Sequence, residues 1–257
     1  TADGNDQFFI SDSDNNIIDA NGETSATGDV ATVTGGTGTI TITRTVTGVT
    51  VDDGSGSGGI GRDQYIDVEF VNVSGSDTDD TFVVDDDQDN ILDGGDGSDT
   101  ISYEPLSTPI TVTIVGNTAS ISATGTGDDT LINIENIETG SGDDTFNITG
   151  SGVNYGLNSN DGNDLFDFNG AIDGSLTIET STSGTHLDFQ GNDSAISIDL
   201  GLTNVSQTID TGFVVNLSGT FNSISGTNYA DNISGTAVAD TIWGGLENDR
   251  IWGEDGD

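Results

Sequence analysis

The sequence predicts an all-β chain, on three observations. Val, Ile, Thr and Phe recur in short alternating runs, such as TGTITITRTVTGVTV at residues 37–51. That period of two marks strands with one buried face. Gly is abundant, at 38 of 257 residues, which weakens any helix. Pro stands only at Pro105 and Pro109, so strands run uninterrupted, and no stretch holds a helical period between caps.

In chain order, residues 1–9 (TADGNDQFF) and 11–19 (SDSDNNIID) share a nine-residue frame, with Ile10 between them. Its sixth position is Asp or Asn (Asp6, Asn16) and its eighth is apolar (Phe8, Ile18). Residues 20–68 lose the acidic signature and read as strands, with DGSGSGG at 53–59 as a turn or surface loop. The frame returns at residues 75–83, 85–93 and 94–102, carrying Asp80, Asn90 and Asp99, with Val84 as the inserted apolar residue. Asp6 to Asp80 and Asn16 to Asn90 are both 74 positions, which implies an internal duplication.

Residues 103–122 contain the strand-like ITVTIV at 110–115. TGTGDDTLI (124–132), TGSGDDTFN (139–147) and SNDGNDLFD (159–167) bring Asp129, Asp144 and Asp164. Residues 171–220 are rich in Thr, Ser and Val and poor in the motif. LDFQGNDSAISIDL and FVVNLSGTF there read as strands joined by Gly, Asn and Asp turns. LSGTFNSIS (217–225) supplies Asn222. Three tandem nonapeptides follow at 226–252: GTNYADNIS, GTAVADTIW and GGLENDRIW, with Asp231, Asp240 and Asp249. A further unit opens at Gly253, and Met is absent even at position 1. The expectation is a segment of a longer protein, divided into 1–102, 103–170 and 171–257.

The net charge is −42, with no Lys and only Arg44, Arg62 and Arg250. Nucleic-acid binding needs a basic patch and docking on anionic lipid needs Lys and Arg, so neither is expected. The carboxylates are either spread over a solvated surface or neutralised by soluble cations, since self-repulsion at this charge opposes a compact state. High charge also favours disorder, but the strand-forming composition argues against it. The expectation is a chain that is expanded without a divalent ion and folded with it. Cys is absent, so no disulfide or thiolate site exists. No run reaches the roughly 18 apolar residues of a membrane span, and no signal peptide is visible.

Catalytic motifs are missing: there is no G-x-S-x-G, no H-E-x-x-H and no phosphate loop. His186, the single histidine, reads as a surface or strand residue. Carboxylate pairs are too common here to diagnose glycoside chemistry. No enzyme activity is expected. Trp243 and Trp252 hold the ninth position of successive units and should face outward. They fit a sugar or partner contact, or an aromatic cap packing on the rest of a longer protein.

GGDGSDTIS at 94–102 matches the pattern G-G-x-G-x-D-x-U-x in full. The tandem block keeps the Asp and Ile positions but has Tyr229, Val238 and Glu247 where the pattern has its third Gly. These residues resemble the calcium-binding nonapeptide repeats of RTX proteins. The resemblance implies a parallel β-roll or β-helix, a solenoid in which six-residue Gly/Asp turns alternate with three-residue strands. Two nonapeptides would make one coil of 18, with the eighth residues stacked inside. It implies several Ca²⁺ ions, held by motif carboxylates and by backbone carbonyls of the flanking positions. The residues it assigns are Asp6, Asp80, Asn90, Gly94, Gly97, Asp99, Asp129, Asp144, Asp164, Asn222, Asp231, Asp240 and Asp249.

Ca²⁺ takes about 6–8 oxygen ligands, and these turns have only oxygen to offer. Same-side turns of an 18-residue coil would join Asp231 to Asp249 and Asn222 to Asp240. Asp80 and Asp99 are 19 apart, as inserted Val84 requires. Asp129, Asp144 and Asp164 are 15 and 20 apart, so the middle should have wider, irregular coils. Each Asn in place of Asp removes a charge.

The implied function is a calcium-binding structural segment of a large secreted bacterial cell-surface or extracellular matrix protein, an adhesin, surface-layer or fibre component folding outside the cell. Its partners would be adjoining segments of the same chain or identical subunits stacked end to end. The alternative is the C-terminal export and folding module of a secreted hydrolase or toxin. An acidic module for a cationic partner is a third reading.

Overall fold

The computed structural model describes residues 7–10, 17–19, 30–34, 39–45, 48–52, 62–66, 70–75, 78–85, 89–123, 127–181 and 184–255, with side chains at 51, 75, 78–84 and, within those ranges, from 89 onward. The described residues form strands and turns without a helix, and most strand pairs are parallel. The chain forms two compact units, residues 1–106 with 120–136, and residues 107–119 with 137–257.

In the first unit, Gln7–Ile10 pairs with Val30–Thr34, which pairs with Phe70–Ser74, then Asp89–Asp93, then Gly127–Ile132, all parallel. A second parallel series joins Thr39–Thr45, Thr81–Asp85 and Thr100–Ser102. The alternating run at 37–51 supplies Thr39–Thr45 and Gly48–Asp52. These pair antiparallel with each other, and Gly48–Asp52 pairs antiparallel with Arg62–Ile66. The strands Gln7–Ile10 and Ile17–Asp19 have counterparts 74 positions on within Thr81–Asp85 and Asp89–Asp93.

In the second unit, one parallel series runs Thr111–Val115, Thr145–Asn158, Leu165–Glu179, His186–Asn192, Ser223–Ser225 and Thr241–Trp243. A separate three-stranded sheet joins Ser197–Asp199, Asn232–Ser234 and Arg250–Trp252. Phe213–Ser218 pairs parallel with the second half of Leu165–Glu179 and antiparallel with Ser206–Asp210. The offset between partners is 18 in the tandem repeats, where Thr241 faces Ser223 and Arg250 faces Asn232. It is 20 where Leu165 faces Thr145, and 34 where Thr145 faces Thr111. The expected departure from a regular repeat in the middle of the chain is therefore observed.

The eighth position of the frame builds the core. Val112, Phe146, Phe166, Leu187, Ile224 and Ile242 form one register row, of which the first five are fully buried. Phe146 and Phe166 stack with ring centroids 4.4 Å apart, and Phe168 stacks on Phe189 at 4.2 Å. Burial of such a side chain contributes about 1.5–3 kcal/mol. The neighbouring residues of each strand point outward, as strand geometry requires. One face of each strand is thus pinned, and with it the register that stacks the turns.

Candidate metal centre

The parallel ladders of the motif repeats begin one residue after the motif aspartate. The strand amide of Leu165 bonds to the Asp144 carbonyl, that of Thr100 to Asp80 and that of Arg250 to Asp231. The amide of the sixth-position residue is left over, and a buried amide needs a partner. The next repeat's sixth side chain supplies it. Asp80 N–H donates to Asp99 Oδ1 (2.7 Å) and Asn90 N–H to Asp129 Oδ1 (2.8 Å). Ile110 N–H donates to Asp144 Oδ1 (2.8 Å), and Asp144 N–H to Asp164 Oδ1 (3.0 Å). Ile196 N–H donates to Asp231 Oδ1 (2.9 Å), and Asp231 N–H to Asp249 Oδ1 (3.0 Å). A second row runs in the opposite direction from the fifth position. Asp79, Asp89 and Asp143 accept from the amides of Ser98, Asp128 and Asn163 in the following repeat.

The structure thus brings together most of the residues assigned from sequence. Asp80 meets Asp99, Asn90 meets Asp129, Asp144 meets Asp164, and Asp231 meets Asp249. Asn222 lies beside the Asp240 repeat, with Nδ2 on the Ala239 carbonyl and its own carbonyl on Thr241 N–H. Asp129 pairs with Asn90, 39 residues back, and not with Asp144. Gly94 faces Asp99, where a Cβ would lie 2.4 Å from Oδ2; Gly97, at φ 141°, packs on the Thr78 backbone. Asp6 lies outside the described residues.

Two kinds of turn occur in the frame, and they account for Tyr229 and Val238 in place of the third Gly, while Glu247 stands there at a left-handed φ of 70°. In one, Gly takes the left-handed φ at the second position, as at Gly95 (94°) and Gly245 (96°). In the other, Thr holds the second position. Thr227 donates N–H and Oγ1 to Asp231 and accepts from Tyr229 N–H, and Thr236 does the same for Asp240 and Val238. The hydroxyl fixes the turn, so the fourth position can be Tyr or Val.

These differences decide which carboxylates could take a cation. Asp80, Asp99, Asp129, Asp144, Asp164 and Asp231 are all buried. Both oxygens of Asp231 and of Asp240 accept hydrogen bonds. The second oxygens of Asp99, Asp144 and Asp164 are buried with no hydrogen-bond partner. The hydroxyls of Thr139 and Ser159, buried with no other partner, stand beside Asp144 and Asp164 and lower their pKa against the larger rise from burial. Burial raises the pKa of Asp99, with Glu135, Asp80 and Asp79 adding to the rise. Burial also raises Asp144. Asp164 is pushed up to about 6 by burial, with Asp144 and Asp143 contributing. Each is a carboxylate whose charge lacks a counter-charge, which is the state a hard cation relieves. Among the described residues no three acidic or imidazole side chains converge on one point. An ion here would therefore draw part of its shell from backbone carbonyls.

Several participants carry no motif signature. Glu135 accepts from Asp99 N–H (2.8 Å) at the sixth position of residues 130–138. Thr185, fully buried and bonded to Thr180 at 2.9 Å, holds that place in residues 180–188. Ile110 and Ile196 hold it with no polar side chain at all. The readable signal was the apolar eighth residue of each frame: Ile137, Leu187, Val112 and Ile198.

His186 is half-buried, bonded through its two ring nitrogens to Ser223 (2.7 Å) and Ser225 (3.1 Å). Burial lowers its pKa. The chain matches no protein-family model and no curated protein.

Proposed function

We propose that this chain is a calcium-binding structural segment of a large secreted bacterial cell-surface or extracellular matrix protein, folding into a parallel β-roll when Ca²⁺ binds outside the cell. The observation that carries the reading is the trio of buried carboxylate oxygens on Asp99, Asp144 and Asp164, stacked among other aspartates and without a hydrogen-bond partner. The absence of Lys and the presence of only three Arg leave their charge to be met by a soluble cation. The resemblance of residues 94–102 and 226–252 to RTX repeats names the cation and the setting. Asp99 with Asp80, and Asp144 with Asp164, would hold the ions, completed by turn carbonyls. Calcium would supply the positive charge that lets these carboxylates stay ionised in place, and so couple binding to folding.

Asp231 and Asp240 serve first as turn caps, and an ion there would have to displace threonine hydrogen bonds. Adjoining segments of the same chain or identical subunits stacked end to end are the partners this role implies.

Calcium titration followed by far-ultraviolet circular dichroism and calorimetry, with Mg²⁺ as control, tests the proposal. The expected result is a gain of β signal with heat of binding, at affinities on the order of 10⁻⁴–10⁻³ M as in extracellular modules. A chain already fully β in chelator, with no calcium heat and an unchanged melt, overturns it.

A further inference from the structure

We propose that the outer face of the three-stranded sheet Ser197–Asp199, Asn232–Ser234 and Arg250–Trp252 is a binding site for a neutral saccharide, with Trp252 as its stacking platform.

In the first two strands the central residues Ile198 and Ile233 are buried, which turns their neighbours outward; Ile251 of the third is 46% exposed but stands in the same register row as Ile233. Register places Asp199, Ser234 and Trp252 in one row across the sheet. Two strand spacings make that row about 10 Å long, which suits a disaccharide. A second wall faces it. Leu202 and Val205 are 45% and 50% exposed, although both are apolar.

They are held out by a pinned loop. Gln207 donates through Nε2 to the carbonyls of Asp199 (2.8 Å) and Leu202 (3.0 Å) and accepts Asp199 N–H at Oε1 (2.8 Å). Asn204 sits at φ 58° and donates its N–H to the Leu217 carbonyl at 2.7 Å. Between the walls lies a cleft of about 470 Å³, lined also by Asn232. That volume falls within the roughly 300–1,000 Å³ of small-molecule sites.

The lining chemistry selects the ligand class. Trp252 is 49% exposed and, with Leu202 and Val205, offers apolar surface. Asn232, Ser234 and Asp199 offer short polar groups beside it. A wholly apolar ligand would bury those polar groups without partners. An anionic ligand meets Asp199 and a chain of net charge −42. A metal finds one carboxylate in the lining, and that carboxylate already accepts Gly201 N–H at 2.9 Å. A pyranose matches both sets of groups. Its C–H face stacks on indole and its hydroxyls reach the amide, hydroxyl and carboxylate. Trp243, the other tryptophan, lies in a different sheet, in register with Ser225.

The two tryptophans make the test direct. With Trp243→Phe, Trp252 is the sole indole reporter. This variant, in calcium buffer, is titrated with methyl glucosides, methyl galactosides, methyl mannosides, cellobiose, maltose, lactose and chitobiose, with galacturonate as the anionic comparator. At least one neutral sugar should shift the indole emission saturably, with a midpoint on the order of 1 mM. Asn232→Ala in that background should weaken the midpoint about fivefold or more, while circular dichroism stays unchanged. Calorimetry on Trp252→Ala should show no binding. The proposal is overturned by no saturable shift with any neutral sugar in a folded Trp243→Phe chain. It is equally overturned by an unchanged midpoint in Asn232→Ala, or by galacturonate binding as tightly as the best neutral sugar.

Discussion

Replacing Asp164 with Asn removes a charge but keeps the atom that caps the Asp144 amide. Oδ1 accepts that N–H at 3.0 Å, and an amide oxygen accepts the same bond, though more weakly than a carboxylate. What changes is the buried second oxygen. In the folded chain burial lifts the Asp164 pKa from 3.8 to about 6. The folded state therefore holds the proton more tightly than the unfolded state. Its contribution to calcium-free stability is fully present below about pH 3.8 and is lost as pH rises through about 6. At pH 7 the folded chain has borne the whole cost, which for about two pKa units is about 3 kcal/mol. Asp164→Asn escapes it. In chelator at pH 7 the folding balance of the variant should lie closer to the folded state than that of wild type by up to about 3 kcal/mol, and the advantage should fade by pH 4. In calcium the sign should reverse, because the variant has lost a ligand charge. Urea unfolding followed by circular dichroism, at both pH values, with chelator and with calcium, reads all four corners. A variant equally stabilised with and without calcium would refute the assignment of Asp164 as a calcium ligand. A variant destabilised in chelator at pH 7 would refute the reading of its second oxygen as an unmet charge.

Other expectations follow from the same geometry. Calcium binding at pH 5.5 should release more protons than at pH 7.5, because Asp164 is then largely protonated; calorimetry in buffers of different ionisation heat measures this, and equal release would count against Asp164. Phe166→Ala opens a cavity beside stacked Phe146 and should cost about 3–5 kcal/mol, seen as a melting point lower by roughly 10 °C. Thr236→Ala removes the hydroxyl that joins Asp240 to Val238 N–H and should cost about 1–2 kcal/mol in urea unfolding. Gly245→Ala would place a Cβ 1.9 Å from the Thr227 carbonyl and should cost about 3 kcal/mol or more, whereas Gly152→Ala, with φ 79° but nothing within 4 Å, should cost only about 1–2 kcal/mol; equal losses would show that strain and not the clash governs the turn.

The local frame made the core row and the turns legible. Phe146, Phe166, Ile224 and Ile233 are buried as their eighth position requires, and Asp231 meets Asp249 across an 18-residue interval. The same frame could not reveal partners separated by longer stretches. Asn90 reaches Asp129 only after three intervening strands, Thr100–Ser102, Thr111–Val115 and Thr118–Ala123, a closure that leaves no periodic trace. Residues 180–188 and 191–199 escaped because Thr185 and Ile196 replace the acidic residue on which the reading relied. Those repeats stay in register through Leu187 and Ile198, so side-chain volume in the core outranks turn chemistry in setting the stack. The pinned wall at Leu202 and Val205 was likewise invisible, since it depends on Gln207 bridging back to residues 199 and 202.

The spacing of strand partners also sets how the chain would yield to a pull. Peeling Arg250–Trp252 from Asn232–Ser234 and then Thr241–Trp243 from Ser223–Ser225, in two different sheets, frees one nonapeptide at a time, a contour length of about 30 Å each. Peeling Leu165–Glu179 from Thr145–Asn158, the strand just before it, frees about 20 residues, or about 70 Å. Stretched from its C-terminal end, the molecule would lengthen first in short, even increments and then in longer, uneven ones. A chain built this way would dissipate load gradually at one end and hold its larger extensions in reserve.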